Sequence, residues 1–275
     1  MKQKYISALL ILCLSLSVSA QKKVVILHTN DTHSHLEPLP MSDKNNPGQG
    51  GVVNRKAIID SVRIAEQNVL LIDAGDFVQG TPYFNMFKGR AEVDAMNLMK
   101  YDLTVIGNHE FDYGLDTMKM IFERLDFPIL CCNYDFSRTV LKDIVKPYVI
   151  LNRFDLKIGI MGVGVDPEGL VQRDKYLDMT FSPIIESVNR CAEMLKKKEK
   201  CDLIICVSHA GYTVDKALAG KSEYLDIIIG GHSHTFMKEP DMLKNILGKA
   251  VLVYQTGKYG VNVGKIEIEL EKTNN

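Results

Sequence analysis

The sequence predicts a single-domain α/β fold of four layers, α/β/β/α, with two sheets face to face and helices over their outer surfaces. Three observations carry that prediction. Apolar, β-branched runs end at Leu27, Ile72, Ile106, Val207 and Ile229, the pattern of buried strands. Helical patterns separate several of them, over Val52 to Glu66, Glu92 to Met99, Leu115 to Leu125 and Ile184 to Lys198, and alternation with crossovers of this length builds parallel βαβ units. Two stretches read instead as hairpins: Tyr148 to Asn152 with Lys157 to Val163, turning at Arg153 to Leu156, and Val251 to Gln255 with Val263 to Leu270. The 275 residues, 46% of them apolar, suffice for one large core, and no Pro/Ser-rich linker divides them.

At the N-terminus, Lys2 and Lys4 precede an apolar segment from Ile6 to Leu16, and Val18-Ser19-Ala20 supplies the small residues that signal peptidase requires. Residues 1–20 are therefore expected to be a cleaved signal, and residues 21–275 the mature chain, exported to a periplasm or to the medium. The apolar segment is short for a membrane span, and Cys13 lacks the small residue that a lipoprotein signal places before it. No later stretch is apolar for long enough to cross a bilayer. The mature chain has 31 basic and 34 acidic residues, a net charge of −3. Such a balance does not hold a polyanion, which excludes nucleic acid as a main partner. Five cysteines remain, an odd number. Cys201 and Cys206 bracket an extended run of roughly 16 Å, beyond the reach of a disulfide. Cys131 and Cys132 adjoin at another strand end, and all five read as small core hydrophobes.

Taken in order, the strand ends carry the polar residues. Val24 to Leu27 runs into HTNDTHSH, placing Asp31 and His33 two apart. The loop from Leu39 to Gly51 is a surface excursion, and Gly50 and Gly51 start the helix at Val52. Val69 to Ile72 ends in DAGDFVQG, offering Asp73 and Asp76, with Gly75 releasing Asp76 from its strand. Leu103 to Ile106 breaks at Gly107 and delivers Asn108, His109, Glu110 and Asp112 on one turn. The run Lys196, Lys197, Lys198 and Lys200 is a solvated helix end. Leu203 to Val207 ends in SHAG, giving His209, and Ile227 to Ile229 ends in GGHSH, giving His232 and His234. All seven histidines, His28 and His35 included, fall in these endings. In open α/β sheets, that edge is where ligands bind.

Histidine, aspartate and asparagine without thiolate form a mixed nitrogen and oxygen set suited to Zn, Mn, Fe or Co. There are too many candidates for one tetrahedral ion. Two divalent ions about 3.5 Å apart repel by roughly 19 kcal/mol at an effective dielectric near 20, so a pair needs bridging anions. Asp76 is the natural bridge. Other residues stay open: His28 is a core residue or a support behind a ligand, His35 supports the site or faces substrate, and Glu110 caps locally or braces the metal loops. Asp73, at its strand terminus, is expected to bond backbone.

The motifs ILHTNDTHSH, GDFVQGTP, GNHEFDYG, SHAG and GGHSHT, in this order and spacing, resemble the metallophosphatase domain of the 5′-nucleotidase family, a branch of the calcineurin-like phosphoesterases. The resemblance runs from about Val24 to Leu270 and implies the metallo-dependent phosphatase type of α/β/β/α sandwich. It also implies one divalent ion held by Asp31, His33, Asp76 and His234, and a second held by Asp76, Asn108, His209 and His232. His109 then resembles the family's catalytic histidine, oriented by Asp112. Some relatives, periplasmic UDP-sugar hydrolases among them, have glutamine at the position of His234. The implied activity is hydrolysis of phosphate esters, most of all 5′-nucleotides, by hydroxide generated between the ions. Cyclic-nucleotide diesters or nucleotide sugars are the alternative substrates. A catalytically idle metal-containing subunit is the alternative of a different class, against which the retained His109 and Asp112 count. Many relatives continue into a second domain that grips the nucleoside, whereas this chain stops at Asn275. The expectation is that a separate chain supplies that domain, or that this one cleaves esters with loose selectivity.

Overall fold

The computed structural model describes residues 22–270; the signal segment expected over residues 1–20 lies outside them. Strand β1 (Lys22–Thr29) leads to α1 (Val52–Ala65) and β2 (Val69–Asp73). Helices α2 (Pro82–Phe87) and α3 (Arg90–Met99) precede the short β3 (Thr104–Val105). After α4 (Gly114–Phe122) come β4 (Ile129–Leu130), β5 (Tyr134–Asp135) and β6 (Val145–Lys146). Then β7 (Tyr148–Arg153) and β8 (Leu156–Val163) are followed by β9 (Thr180–Phe181) and α5 (Ile184–Lys197). The chain continues through β10 (Leu203–Ser208), α6 (Tyr212–Lys221) and β11 (Ile227–Gly230). It closes with β12 (Asp241–Lys244), β13 (Ala250–Tyr254) and β14 (Gly264–Leu270).

While β5 and β9 pair with each other as a separate antiparallel ribbon, the other strands make two layers. In one the order is β14-β1-β2, and a bridge between Ile72 and Leu103 carries it on to β3-β4-β6. In the other it is β12-β13-β11-β10-β8-β7. Val24, Ile26, Leu70 and Ile72 of the first layer pack against Ile160, Ile205, Val207 and Ile229 of the second. Fully burying each such side chain stabilises by about 1.5–3 kcal/mol, so this central slab holds two rows of strand ends in a fixed relation. Ile59, Met96, Met118 and Ile121 attach α1, α3 and α4 to the outside of the first layer. Val188, Leu195 and Leu218 attach α5 and α6 to the second. The expected α/β/β/α order is the one observed.

Register levels the strand ends. Thr29 pairs with Asp73 across the parallel β1 and β2, and Ser208 pairs with Gly230 across β10 and β11. The loops that follow therefore leave the slab at one height.

The first expected hairpin forms, with Arg153 paired to Leu156. Its two turn residues, Phe154 and Asp155, have φ of 62° and 60°, the left-handed pair that matches strand twist. The second expected hairpin does not form. β13 pairs in parallel with β11 and antiparallel with β12, whereas β14 crosses to the other sheet and pairs antiparallel with β1. Alternating apolar residues look alike whichever sheet receives them, and here the free edge of β1 takes the last strand. As a result the segment after β13 passes over the strand ends. The sequence reading also missed α2, α6 and β12. α2 is too short for a periodic signal and is set by its Thr81 cap and by Pro82 in its first turn. Cys131, Cys191, Cys201 and Cys206 are buried and Cys132 is half-buried, all as free thiols, in keeping with the core role expected of them.

Candidate functional site

Loops from both sheets meet on one rim, and their backbones are bent hard to do so. Asp31 (φ 51°), His33 (φ 44°), Asp76 (φ 54°), His232 (φ 72°) and His234 (φ 54°) all lie in the left-handed region. That conformation costs a non-glycine residue roughly 1–2 kcal/mol, and it persists only where surrounding contacts impose it. Here Asp31 N–H donates to Gly75 O and His33 N–H to Asp76 O, each at 3.0 Å, and Tyr259 N–H donates to Asp31 O at 2.7 Å. Gly107 lets the loops touch, because a Cβ there would lie 2.2 Å from Asp76 Oδ1.

The side chains converge. Asp31 Oδ1 is 3.3 Å from His234 Nε2 and 3.6 Å from His33 Nε2, and those two nitrogens are 3.0 Å apart. Asp76 Oδ2 is 3.1 Å from His209 Nε2, and His232 Nδ1 is 2.9 Å from Asn108 Oδ1. Among the described residues, three sets of donor atoms, each within a span of 4.8 Å, could hold a metal ion: Asp31, His33 and His234; Asp76, His209 and His232; and His33, Asp76 and His109.

His209 tests whether a cation fits. Its Nδ1 is 2.6 Å from Ala74 O, so Nδ1 carries the hydrogen and the lone pair of a neutral ring sits on Nε2. That lone pair then faces the Asp76 carboxylate, an arrangement that is repulsive unless a positive charge lies between them. Nε2 is buried without a hydrogen-bond partner, as is His33 Nδ1. Buried polar groups left so are costly, and a divalent ion at Nε2 would satisfy both sides.

The electrostatics agree. Without a metal ion His209 takes up that positive charge itself: burial opposes it, yet Asp76 beside the ring and Asp31 behind lift its pKa to about 10, so a cation at Nε2 would replace a proton. Burial would raise the pKa of Asp76, but His209, with His109 and His33, holds it well below the usual carboxylate range. His33 is pushed down to about 4 by burial, and His232 is lowered by burial and then by His209. The rim thus keeps an anionic carboxylate beside imidazoles, two of them neutral, which is a cation-binding arrangement.

His109 stands at the edge. Its Nδ1 lies 3.1 and 3.2 Å from the two Asp112 oxygens, which places a hydrogen on Nδ1 and leaves Nε2 available. Burial opposes protonation of this ring, but the Asp112 hydrogen bond and the nearby Asp76 raise its pKa overall.

The open assignments resolve from the hydrogen bonds. Glu110 accepts from the backbone N–H groups of Gly107 (2.6 Å), Phe77 (3.0 Å) and Asp76 (3.1 Å), so it braces the loops after β2 and β3 together. Burial, then Asp76, raise its pKa to about 8. Glu110→Ala would strand three buried donors at about 1–3 kcal/mol each; a loss of about 3–5 kcal/mol in denaturant melts is expected, and a loss below about 1 kcal/mol would show that the loops do not depend on it. Asp73 bonds the Gly75 N–H (3.0 Å), as expected of it, and also the hydroxyls of Thr29 (2.7 Å) and Thr104 (3.0 Å). His28 is a core residue, edge-on to Tyr254 at 6.0 Å. His35 Nδ1–H donates to His33 O at 2.8 Å, and its ring lies on Tyr259 with centroids 4.1 Å apart.

Sequence reasoning missed three supports. Asn30 donates to Asp31 Oδ2 and to Gly257 O, both at 2.6 Å. Gln255 donates to Gly231 O at 2.8 Å, and Tyr259 holds the Asp31 carbonyl. Asn30 lies inside HTNDTHSH and could have been singled out. Gln255 and Tyr259 follow β13, where nothing local marks them.

Known proteins share this arrangement of chain. The family model for calcineurin-like phosphoesterases matches residues 24–236. Over 285 aligned residues the chain is 32% identical to a snake venom 5′-nucleotidase of Crotalus adamanteus, covering 96% of this chain and 48% of that protein. It is 31% identical to a 5′-nucleotidase of Homo sapiens, covering 92% and 47% respectively. The crystal structure of a 5′-nucleotidase precursor from Thermus thermophilus superposes with a TM-score of 0.84 at 32% identity, over 90% of this chain and 52% of that one. The chain spans about half the length of the curated relatives it matches.

Proposed function

Since this chain belongs to the calcineurin-like phosphoesterase family, we propose that it is an exported hydrolase of phosphate esters, 5′-nucleotides foremost, working with two divalent metal ions. The observation that carries this reading is His209 Nε2 facing the Asp76 carboxylate at 3.1 Å amid ligand-type side chains from five strand ends. In the proposed assignment Asp31, His33, Asp76 and His234 hold one ion, and Asp76, Asn108, His209 and His232 hold the other. Two of the donor sets described above, Asp31 with His33 and His234 and Asp76 with His209 and His232, support it. The mixed nitrogen and oxygen donors suit Zn, Mn, Fe or Co. Bound there, the ions would supply Lewis acidity toward the phosphoryl oxygens and a water acidic enough to attack near neutral pH.

The chain's own groups do the rest. Asp76, which also shares a set of donor atoms with His33, would be the ligand common to both ions. Ala74 O holds the His209 Nδ1 hydrogen, keeping Nε2 as the ligand atom. His109 gives the proton on Nε2 to the leaving oxygen of the ester, while the Asp112 carboxylate at Nδ1 fixes the ring and stabilises its charged form. The relatives are about twice as long as this chain, and in this proposal substrate selection draws on a part of such proteins that lies outside the described residues. Among the described residues no helix is long and apolar enough to cross a membrane. Export predicts a mature N-terminus near Gln21, which sequencing of the secreted protein checks.

Metal analysis with hydrolysis of p-nitrophenyl phosphate, its bis ester and a nucleotide panel tests the activity. Chelation is expected to abolish turnover and one of the four metals to restore it. Added metal at a hundred times its Kd should stabilise the fold by about 2.7 kcal/mol per site. A chain that turns over equally well after chelation, or binds no ion, overturns the proposal.

A further inference from the structure

A cavity of about 280 Å³ opens beside His109. Asn108, His109, Phe111 and Asp112 line it from the earlier segment, and Leu170, Val171, Gln172 and Lys175 line it from the later segment. We propose that this cavity is the subsite for a sugar-type, polyhydroxylated leaving group, with Gln172 and Lys175 as its specificity determinants.

The inference rests on the hydrolase reading above. If His109 protonates the leaving oxygen, the leaving group starts within hydrogen-bond distance of His109, and this cavity has His109 in its wall. Its volume is at the low end for small-molecule sites, suited to a single sugar ring with anything larger extending outward.

The lining has the required chemistry. A hydroxyl is both donor and acceptor, and the cavity offers the Gln172 amide, which is both, the Lys175 ammonium, which donates, and the Asp112 carboxylate, which accepts. Leu170 and Val171 provide an apolar patch for the C–H face of a ring. An aromatic leaving group would cover the apolar part and leave the polar groups unpaired, which is how such a site discriminates.

The later segment is built rather than loose. Val171 packs on the core beneath α3 and α4, and Val171 N–H donates to Pro167 O at 2.9 Å. Lys175 N–H donates to Gln172 O at 3.0 Å, and the Lys175 stem passes the start of α4, with Cδ 3.9 Å from where a Cβ on Gly114 would sit. The ammonium has the exposed Asp174 at 3.8 Å, a pairing too weak to withhold it from a ligand.

Gln172→Ala and Lys175→Met test the proposal in the metal-loaded full chain. Ribose 5-phosphate is compared with phenyl phosphate by kinetics. The matching phosphonates, whose P–C bond is not hydrolysed, are compared by calorimetry. Each variant is expected to lower the ribose-to-phenyl ratio of kcat/KM about fivefold to tenfold, through KM rather than kcat, and the ratio of phosphonate affinities alike. Unchanged ratios, or an equal fall for both esters, overturn the subsite. A falling phosphonate ratio without turnover of any ester keeps the subsite and sinks the hydrolase reading. No binding of either phosphonate sinks both.

Discussion

His109→Ala is expected to lower kcat by about 10²–10⁴-fold while leaving the metal content of the chain at its wild-type level. The geometry behind this is the pairing of Nδ1 with Asp112 at 3.1 Å, which commits that nitrogen and makes Nε2 the proton donor. The loss should depend on the leaving group. An alkoxide needs a proton as the ester bond breaks, so nucleotides and sugar phosphates should suffer most. p-Nitrophenolate leaves readily without one, so its ester should suffer least. A smaller loss of the same pattern is expected for Asp112→Asn, which keeps the ring but weakens the hold on its charge. Because His109 also lies with His33 and Asp76 in one set of donor atoms, the metal content is the decisive control. Loss of an ion in His109→Ala would make this residue a ligand and end its assignment as the acid.

Asp76→Asn is expected to leave at most one ion per chain and to cut turnover by at least about a thousandfold. The residue is 1% exposed, and its neighbouring imidazoles keep it anionic across the working pH range. Its Oδ1 accepts the His109 N–H at 2.9 Å, and its Oδ2 faces His209. Asparagine has the same shape, keeps the first of these bonds, and removes the charge that lifts the His209 pKa, so the ring stays neutral and Nε2 can accept from the new amide. The metal-free fold should therefore survive, with a melting temperature near that of the metal-free wild type. Only the bridging charge is lost, and without it two cations at this spacing repel strongly. Two bound ions with undiminished turnover in Asp76→Asn would rule out Asp76 as the bridge.

Several parts of the site were open to reading from residues alone. Asp31, His33, Asp76, Asn108, His109, His209, His232 and His234 each follow a run of apolar β-branched residues, and such runs have a period that shows in a short window. Gly75, Gly107 and Gly231 mark where those runs break. The roles of the supporting residues were not open in the same way. Glu110 has a local cap as its obvious partner in sequence, yet it reaches with both oxygens to the backbone of another loop, that of Asp76 and Phe77. His28, in the same motif as Asp31, turns into the sheet interface toward Tyr254 because it is still within β1, where side chains alternate between faces.

Neighbouring residues were enough to read the kind of layering, the positions of the strands that end in candidate ligands, and the chemistry of those candidates, because periodicity, glycine breaks and donor types are local properties. Which strands lie side by side, and which atom of each side chain turns inward, was left to the packing of distant segments. The last strand reads as the partner of β13, but burial sends it to the open edge of β1, and the crossing segment brings Gln255 and Tyr259 to the rim. Likewise His209 offers Nε2 rather than Nδ1 only because Ala74, 135 residues earlier, presents its carbonyl there. Such choices depend on contacts between distant segments, which form to bury apolar faces and pair backbone groups, and no short window of residues contains them.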